Sequence, residues 1–140
     1  MAFTNVPPLQ PHVCVKGGVE AIAFYQRAFG AENTFHQLAD DGKRVMHTNL
    51  AIYGGEVMLH DELPEFGMPV SAPQTLGGSC VTININLPDP AAVDTAFAKA
   101  VDARALGTMP PSDVFWDARY ARITDTFGHI WAFNAPLEQE

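Results

Sequence analysis

The sequence is poor in cysteine, in basic residues and in long apolar runs. Its 140 residues include 2 cysteines and 8 lysines and arginines against 16 aspartates and glutamates, giving a formal net charge of −8. Nucleic acids and anionic membranes require basic protein surfaces, so we expect neither as a partner. Cys14 and Cys80, each inside a predicted strand, suit a reduced protein better than a disulfide framework. No apolar run reaches the roughly 20 residues that a membrane span needs.

Other missing features concern location and chemistry. The opening segment MAFTNVPPLQ lacks the basic start and the apolar run of a signal peptide, so a cytoplasmic location is expected. The chain has no Gly-rich phosphate loop, no paired CxxC motif and no G-x-S-x-G elbow. Its hydrophobic fraction of 47% is typical of a globular protein, and its length fits one domain with its own core.

What the chain does contain is a pattern that occurs twice. LQPHVCV alternates in polarity as a strand does, and VEAIAFYQRAFG then places apolar residues at helical spacing. CVTININL and PDPAAVDTAFAKAV repeat this order roughly 70 residues later, with Asp89 as N-cap and Pro90 in the first helical turn. Further strands are predicted after each helix: ENTFHQLA, VMHTNLAIY and EVMLHDE in the first half, and ALGTMP, FWDARYARITD and HIWAFNA in the second.

The duplication predicts an α+β protein. We expect a single domain with one strand–helix–strand–strand–strand module at about residues 7–63 and a second at about 79–136. A Pro/Gly-rich linker at about residues 64–78 would join them.

Alternation along the predicted strands sorts their side chains onto two faces. The apolar set faces the helices, and the other face is left for water or for a ligand. If the two halves curl toward each other, this second face becomes a cleft. Its expected members are Gln10, His12, Cys14, His47, Asn49, Ala51, Glu56, Met58, His60, Thr82, Asn84, Asn86, Ile130, Ala132 and Asn134.

Four motifs, AIAFYQRAFGAE, MHTNLAIYGGEVMLHDELPE, LGGSCV and MPPSDVFWDARYARITDTFGHIW, occur in an order that covers almost the whole chain. Together they resemble the glyoxalase/bleomycin resistance/dioxygenase superfamily, also called vicinal oxygen chelate (VOC), and most closely its PhnB-like branch. The resemblance implies two βαβββ modules that form a curved mixed sheet around a small-molecule cleft, with helices on the convex face, usually in a homodimer. It leaves open whether modules pair within a chain or across a swapped dimer.

The resemblance does not supply a reaction, because the superfamily includes isomerases, dioxygenases, transferases that modify fosfomycin, lyases and antibiotic-sequestering proteins. Its metal enzymes take ligands from the first and fourth strand of each module. The resemblance places those positions at Gln10, Met58, Thr82 and Ala132. A thioether, a hydroxyl and a methyl group are poor ligands for a catalytic divalent ion, which needs about three strong ones. We therefore expect no inherited metal site and no other cofactor.

A displaced divalent metal site is the open alternative. His12 and His60 lie two residues beyond the inherited positions on the same strand face. His47 lies on a neighbouring strand, and Glu56 or Asp61 is close in sequence. We favour the interpretation that these histidines are hydrogen-bonding residues of the cleft, with no metal.

FWDARYARITD places aromatic residues beside arginines, a combination that binds flat or anionic ligands. Strand parity lets only one of Arg119 and Tyr120 face the cleft, and we favour Tyr120 because Ala121 and Ile123 then face the helices. His129 is expected to be buried on the helix side beside Trp131, and Cys14 is expected to be a core thiol rather than a nucleophile.

We therefore predict a protein that binds a small organic ligand in the concave cleft, as the sequestering or resistance-type members of the superfamily do. The predicted ligand-binding residues are Gln10, His12, His47, Met58, His60, Thr82, Asn84, Asn86, Trp116 and Tyr120. The alternative is an enzyme, such as a lyase or isomerase. It would use a metal held by His12, His60 and Glu56, or it would use His12 or His60 as a general base.

Overall fold

A computed structural model describes residues 7–137 of the chain. In this region two halves follow the same order of elements. The first half contains β1 (His12–Val15), α1 (Gly18–Phe29), β2 (Glu32–Leu38), β3 (Val45–Ile52) and β4 (Gly55–Asp61). After a 3₁₀ turn at Pro64–Phe66 and the short helix α2 (Pro73–Leu76), the second half contains β5 (Thr82–Asn86), α3 (Pro90–Asp102), β6 (Leu106–Val114), β7 (Ala118–Thr124) and β8 (Ile130–Pro136). The structure confirms the predicted α+β fold.

Each half forms its own four-stranded mixed sheet. The strand orders are β1-β4-β3-β2 and β5-β8-β7-β6. The first strand of each sheet is parallel to its neighbour, and the remaining pairs are antiparallel. Within residues 7–137 no ladder joins β1 to β5, so the expected curved sheet is built as two sheets whose edge strands flank a gap.

Several sequence predictions about strand positions are wrong: β1 begins at His12, so Leu9, Gln10 and Pro11 precede the strand. Cys80 is exposed and lies two residues before β5, outside the strand. Residues 115–117 form a turn between β6 and β7 rather than the start of a strand. Asp117 adopts a φ of 56° there, and its N–H donates to the Val114 carbonyl oxygen. A short polar side chain such as aspartate tolerates this left-handed conformation better than most residues.

One hydrophobic core lies beneath both sheets. Helix α1 buries Phe24, Tyr25 and Phe29 on one face, and the Phe29 ring lies 4.8 Å from the Trp131 ring of β8, centroid to centroid. The helix of the first half therefore packs against the sheet of the second half. Since the apolar faces share this core, the polar faces of both sheets are left for solvent or a ligand.

Both long helices begin at an aspartate side chain. Asp89 caps α3 by accepting a hydrogen bond from the Ala92 N–H, as its position in the sequence predicts. Helix α1 instead uses Asp61 from the end of β4, which accepts hydrogen bonds from the N–H groups of Gly17 and Gly18. Across residues 7–137, no helix combines the length and apolarity needed to cross a bilayer.

Candidate functional site

A cavity of about 910 Å³ lies between the edge strands β1 and β5. Gln10, His12 and Cys14 line it from the first half of the chain, and Thr82 and Asn84 line it from the second. Residues 76–81, from the end of α2 onward, also line it. Polar side chains that are about 70 residues apart in sequence therefore face one hollow, as strand alternation predicts.

Three histidines meet at the β1 wall of this cavity. The His12 ring lies 4.7 Å from the His60 ring and 5.5 Å from the His47 ring, centroid to centroid, and both contacts are edge-on. The strand register explains this meeting, because His12 is paired with Met58 and Cys14 with His60. We call His12, His47 and His60 the histidine cluster.

Two members of the histidine cluster have a defined protonated nitrogen. His60 Nδ1 lies 2.6 Å from the Asp61 carbonyl oxygen, and His47 Nε2 lies 2.6 Å from the Asn49 side-chain oxygen. Both oxygens accept, so these ring nitrogens carry the hydrogen. The Asn49 amide in turn donates to Glu56, which also accepts from the Gln10 amide at 2.6 Å.

His12 differs from its neighbours because its ring makes aromatic contacts but has no hydrogen bond to residues 7–137. Partial burial of the ring lowers the pKa of His12, and the nearby His60 and His47 lower it further. The ring is therefore neutral at pH 7, with a nitrogen lone pair available at the cavity wall.

A second polar group of residues lies on the same face of the other sheet. The Trp116 Nε1–H donates to the Asn134 side-chain oxygen at 3.0 Å, and the Trp116 ring lies 5.2 Å from the Tyr120 ring, centroid to centroid. Arg122 donates from Nε to the Tyr120 hydroxyl at 2.8 Å and from Nη2 to the Thr82 hydroxyl at 3.1 Å. We call Thr82, Trp116, Tyr120, Arg122 and Asn134 the arginine–aromatic cluster.

The Cys14 thiol is not placed for nucleophilic chemistry. Its side chain is 3% exposed and its sulfur lies 3.5 Å from the Val70 carbonyl oxygen. Burial raises the pKa of Cys14 to about 11, and the carboxylates of Glu62 and Asp61 contribute to the increase. The thiol therefore stays protonated near neutral pH.

Comparison with known proteins agrees with this architecture. A family model described as the Glyoxalase/Bleomycin resistance protein/Dioxygenase superfamily matches residues 9–133. The chain belongs to this superfamily. The Mycobacterium bovis protein Mb0911c is 36% identical over 140 residues, which cover 99% of this chain and 90% of that protein.

Solved structures with the same fold include two proteins of low sequence identity. TioX from Micromonospora sp. ML1 aligns with a TM-score of 0.69 at 23% identity, covering 91% of this chain and 96% of TioX. The PhnB protein from Bacillus cereus aligns with a TM-score of 0.68 at 16% identity, covering 92% of this chain and 99% of that chain. The resemblance to the superfamily and to PhnB-like proteins is thus confirmed, and at these identities the structures support the fold alone.

The residues at the metal positions that the resemblance implies do not fit a metal ion. The Gln10 amide is hydrogen-bonded to Glu56, and the Thr82 hydroxyl accepts from Arg122. Met58 and Ala132 provide a thioether and a methyl group. In the chain from residue 7 to residue 137, no three His, Cys, Asp or Glu side chains are grouped to hold one ion, so His12, His60 and Glu56 do not form such a set.

Only some of the predicted site residues line the cavity. Gln10, His12, Thr82 and Asn84 line it directly. His47 and His60 contact the His12 ring, and Met58 is the register partner of His12. Asn86 accepts a hydrogen bond from Asn84. Tyr120, predicted to face the cleft, belongs to the arginine–aromatic cluster and is not among the residues that line the cavity, whereas Arg119 forms ion pairs with Asp94 of α3 and Asp113.

Sequence reasoning missed two contributors. His129, expected to be buried, is half-buried and lines the cavity, with Nε2 2.7 Å from the Cys14 carbonyl oxygen. Arg122 was omitted from the predicted set although it has the same strand parity as Tyr120. Parity therefore contained the signal for Arg122. The position of His129 depends on the β7–β8 turn, which parity does not describe.

Proposed function

We propose that this chain binds a small organic ligand in the cavity between β1 and β5. The observation that supports this most strongly is the meeting of Gln10 and His12 with Thr82 and Asn84 across one hollow. The volume of about 910 Å³ falls in the range of roughly 300–1,000 Å³ that is usual for small-molecule sites. A few convergent polar groups on a largely apolar wall would orient the ligand.

The binding role is that of a sequestering or resistance-type protein, without the metal of the superfamily's enzymes. The inherited metal positions carry poor donors, so a ligand would be held by hydrogen bonds and apolar contacts instead. The remaining predicted residues, His47, Met58, His60, Asn86, Trp116 and Tyr120, would extend the contact surface. The single domain would consist of one module at residues 7–63, a linker at 64–78 and a second module at 79–136.

The homodimer expected from the resemblance also belongs to this proposal. Three apolar residues that line the cavity are strongly exposed: Leu9 at 84%, Leu76 at 70% and Val81 at 61%. Exposed apolar patches of this kind mark interaction surfaces. A second copy of the chain that covers them would also close the cavity to solvent.

Ligand-induced thermal stabilisation tests the proposal. A library of planar antibiotics and small metabolites is screened against the wild-type chain, and each compound that raises Tm is tested on Asn84→Leu and on Gln37→Leu. Asn84 lines the cavity, whereas Gln37 is exposed on β2. We expect the shift to fall only in Asn84→Leu. Absence of any shift, or equal shifts in both variants, would contradict binding in this cavity.

A second candidate function, an enzyme of the lyase or isomerase type, is favoured by the state of His12. A neutral imidazole at a cavity wall can act as a general base. The test is the exchange of a carbon-bound proton of a bound compound with D₂O, followed by NMR. Exchange that His12→Gln abolishes while binding persists would support catalysis, and absence of exchange for every bound compound would count against it.

A further inference from the structure

Arg122 crosses the sheet to reach its partner. It lies on β7, while Thr82, which accepts its hydrogen bond, lies on β5, and β8 runs between these strands. The side chain must therefore pass over β8, where Ala132 is its register partner. Ala132 is 0% exposed although it lies on the polar face of the sheet. An alanine at this position leaves room for the arginine side chain that covers it.

The Arg122 guanidinium has no carboxylate partner in the part of the chain that the structure describes. Three arginines are half-buried, and the other two each form two ion pairs: Arg44 with Asp41 and Glu65, and Arg119 with Asp94 and Asp113. Arg122 contacts only the neutral hydroxyl groups of Tyr120 and Thr82. An unpaired cation in a protein with net charge −8 is unusual, because removing a charge from water is costly unless it is paired.

Three of the five N–H donors of Arg122 remain available, since Nε and one N–H of Nη2 are used. The two hydroxyl contacts hold the guanidinium in one orientation. A planar guanidinium fixed in this way pairs with a carboxylate through two parallel hydrogen bonds.

A flat apolar surface adjoins this cation. Trp116 is 45% exposed, its ring packs edge-on against Tyr120, and the Arg122 guanidinium carbon lies 5.9 Å from the Tyr120 ring centroid. The hydrogen bond from Trp116 to Asn134 fixes the indole. A ring system lying on Trp116 would bring an attached carboxylate toward Arg122.

We propose that Arg122, which adjoins the cavity through its hydrogen bond to the lining residue Thr82, is the anion-binding group for a ligand that extends past Thr82, and that this ligand is a planar apolar molecule carrying a carboxylate. This inference rests on the proposed function and names the ligand class. The resemblance implies that Thr82 and Ala132 stand at the second-half metal-ligand positions of the superfamily's metal enzymes, and here the guanidinium of Arg122 contacts Thr82 while Ala132 is the register partner of Arg122. The chain thus places a guanidinium beside positions whose donors do not fit a metal ion.

Matched probes test the inference. Binding of 2-naphthoate and of its neutral analogue 2-naphthamide is measured by isothermal titration calorimetry on the wild type, Arg122→Gln and Arg119→Gln. Arg119 lies on the same strand with its charge on the opposite face, so it is the matched control. We expect 2-naphthoate to bind roughly 10- to 100-fold more tightly than 2-naphthamide, because hydrogen bonds to charged groups contribute that much. Arg122→Gln removes the difference and Arg119→Gln preserves it.

Further measurements cover a variant that fails to fold and a ligand of a different anion class. If Arg122→Gln is unfolded by circular dichroism, the salt dependence of the wild type replaces it. Raising NaCl from 50 to 300 mM should then weaken the binding of 2-naphthoate and leave the binding of 2-naphthamide unchanged. Binding of 2-naphthalenesulfonate in preference to 2-naphthoate would overturn the assignment to carboxylates.

The outcomes separate this inference from the proposed function. Equal affinity for 2-naphthoate and 2-naphthamide, or a preference that survives Arg122→Gln, overturns the anion subsite while ligand binding in the cavity stands. If neither probe binds but a library compound does, the ligand class is wrong and the proposed function stands. If neither the probes nor any library compound binds, both proposals fail.

Discussion

Burial, with a further contribution from the two histidines that face it, lowers the pKa of His12, and this has a consequence for stability. The groups around its ring are His47 from β3 and His60 from β4. The pKa of His12 is lowered by burial and by these two histidines, so below about pH 6.5 the unfolded chain binds a proton at His12 more readily than the folded chain.

The free energy of unfolding should therefore fall as pH drops through the range just below 6.5, and His12→Gln should reduce this loss. Urea unfolding at pH 7.5 and pH 5.5 measures this difference in the free energy of unfolding. His36→Gln, on the exposed strand β2, is the control for removing a histidine outside the cluster. An unchanged difference between the two pH values in His12→Gln would show that the histidine cluster does not disfavour protonation.

The two cysteines should differ strongly in reactivity. Cys14 is buried and its pKa is raised to about 11, so roughly one thiol in a thousand is ionised at pH 8, whereas Cys80 is exposed. Iodoacetamide at pH 8, followed by mass spectrometry, should label Cys80 at least about 100 times faster than Cys14. In urea the two rates should converge. Equal rates in the folded protein would contradict the burial of Cys14.

For single residues, the sequence predicts which face of the sheet a side chain lies on better than it predicts which residue on another strand the side chain contacts. Alternation correctly distinguished Tyr120 from Arg119, because Ala121 and Ile123 on the same side as Arg119 are buried against the helix layer. The path of Arg122 over Ala132 to Thr82 could not be predicted. It depends on which strand lies between β5 and β7, and strand order is a tertiary property.

Among the elements, α1 depends on a glycine at its first residue. A Cβ on Gly18 would lie 2.5 Å from Asp61 Oδ2 and 2.6 Å from Val45 Cγ2. Asp61 also accepts from the N–H groups of Gly17, Gly18 and Val45, so it cannot move away without losing those bonds. The start of the helix is therefore fixed between two strands.

Gly18→Ala should lower the free energy of unfolding by about 1–3 kcal/mol, the usual cost of overpacking. Gly55→Ala, at the start of β4, is the control, because its Cβ would meet only the Ile52 carbonyl oxygen at an ordinary 3.5 Å. Urea denaturation followed by circular dichroism compares the two. A loss in Gly55→Ala as large as that in Gly18→Ala would mean that the Asp61 contact is not the cause.

The strand predicted at ALGTMP is shorter than the strand in the structure. In the structure β6 continues through Pro110 and Pro111 to Val114, with register shifts at this point. Proline lacks an N–H and normally ends a ladder, so the sequence indicated a shorter strand. β6 tolerates the two prolines because it is the edge of its sheet, where only one side needs hydrogen bonds.

At the scale of the whole molecule, the internal duplication predicted two similar halves but not how they are joined. A buried polar contact joins them: the Tyr25 hydroxyl of α1 donates to Asp125, which also accepts from the Trp131 indole N–H and from the N–H groups of Phe127 and His129. Burial raises the pKa of Tyr25, and the adjacent Asp125 adds to the increase. A contact between residues 100 apart in sequence leaves no periodic signal.

This contact predicts that the two halves unfold together. Tyr25→Phe keeps the ring packing and removes only the hydroxyl, so the free energy of unfolding should fall by about 1.5–3 kcal/mol, the value of a hydrogen bond to a charged group. Tyr53→Phe is the matched control, because the Tyr53 hydroxyl has no hydrogen bond among residues 7–137 and its ring contacts with Phe29 and Phe133 survive.

The measurement is urea unfolding followed in parallel by far-ultraviolet circular dichroism and by tryptophan fluorescence. Trp131 reports on the second half, and it packs against Tyr25 and Phe29 of the first. Because one core spans both halves, the two signals should change at the same urea concentration in the wild type and at a lower shared concentration in Tyr25→Phe. Separate transitions in the wild type would show that each half is stable without the other. In that case the cavity between β1 and β5 would depend on the linker, and not on the shared core, for its shape.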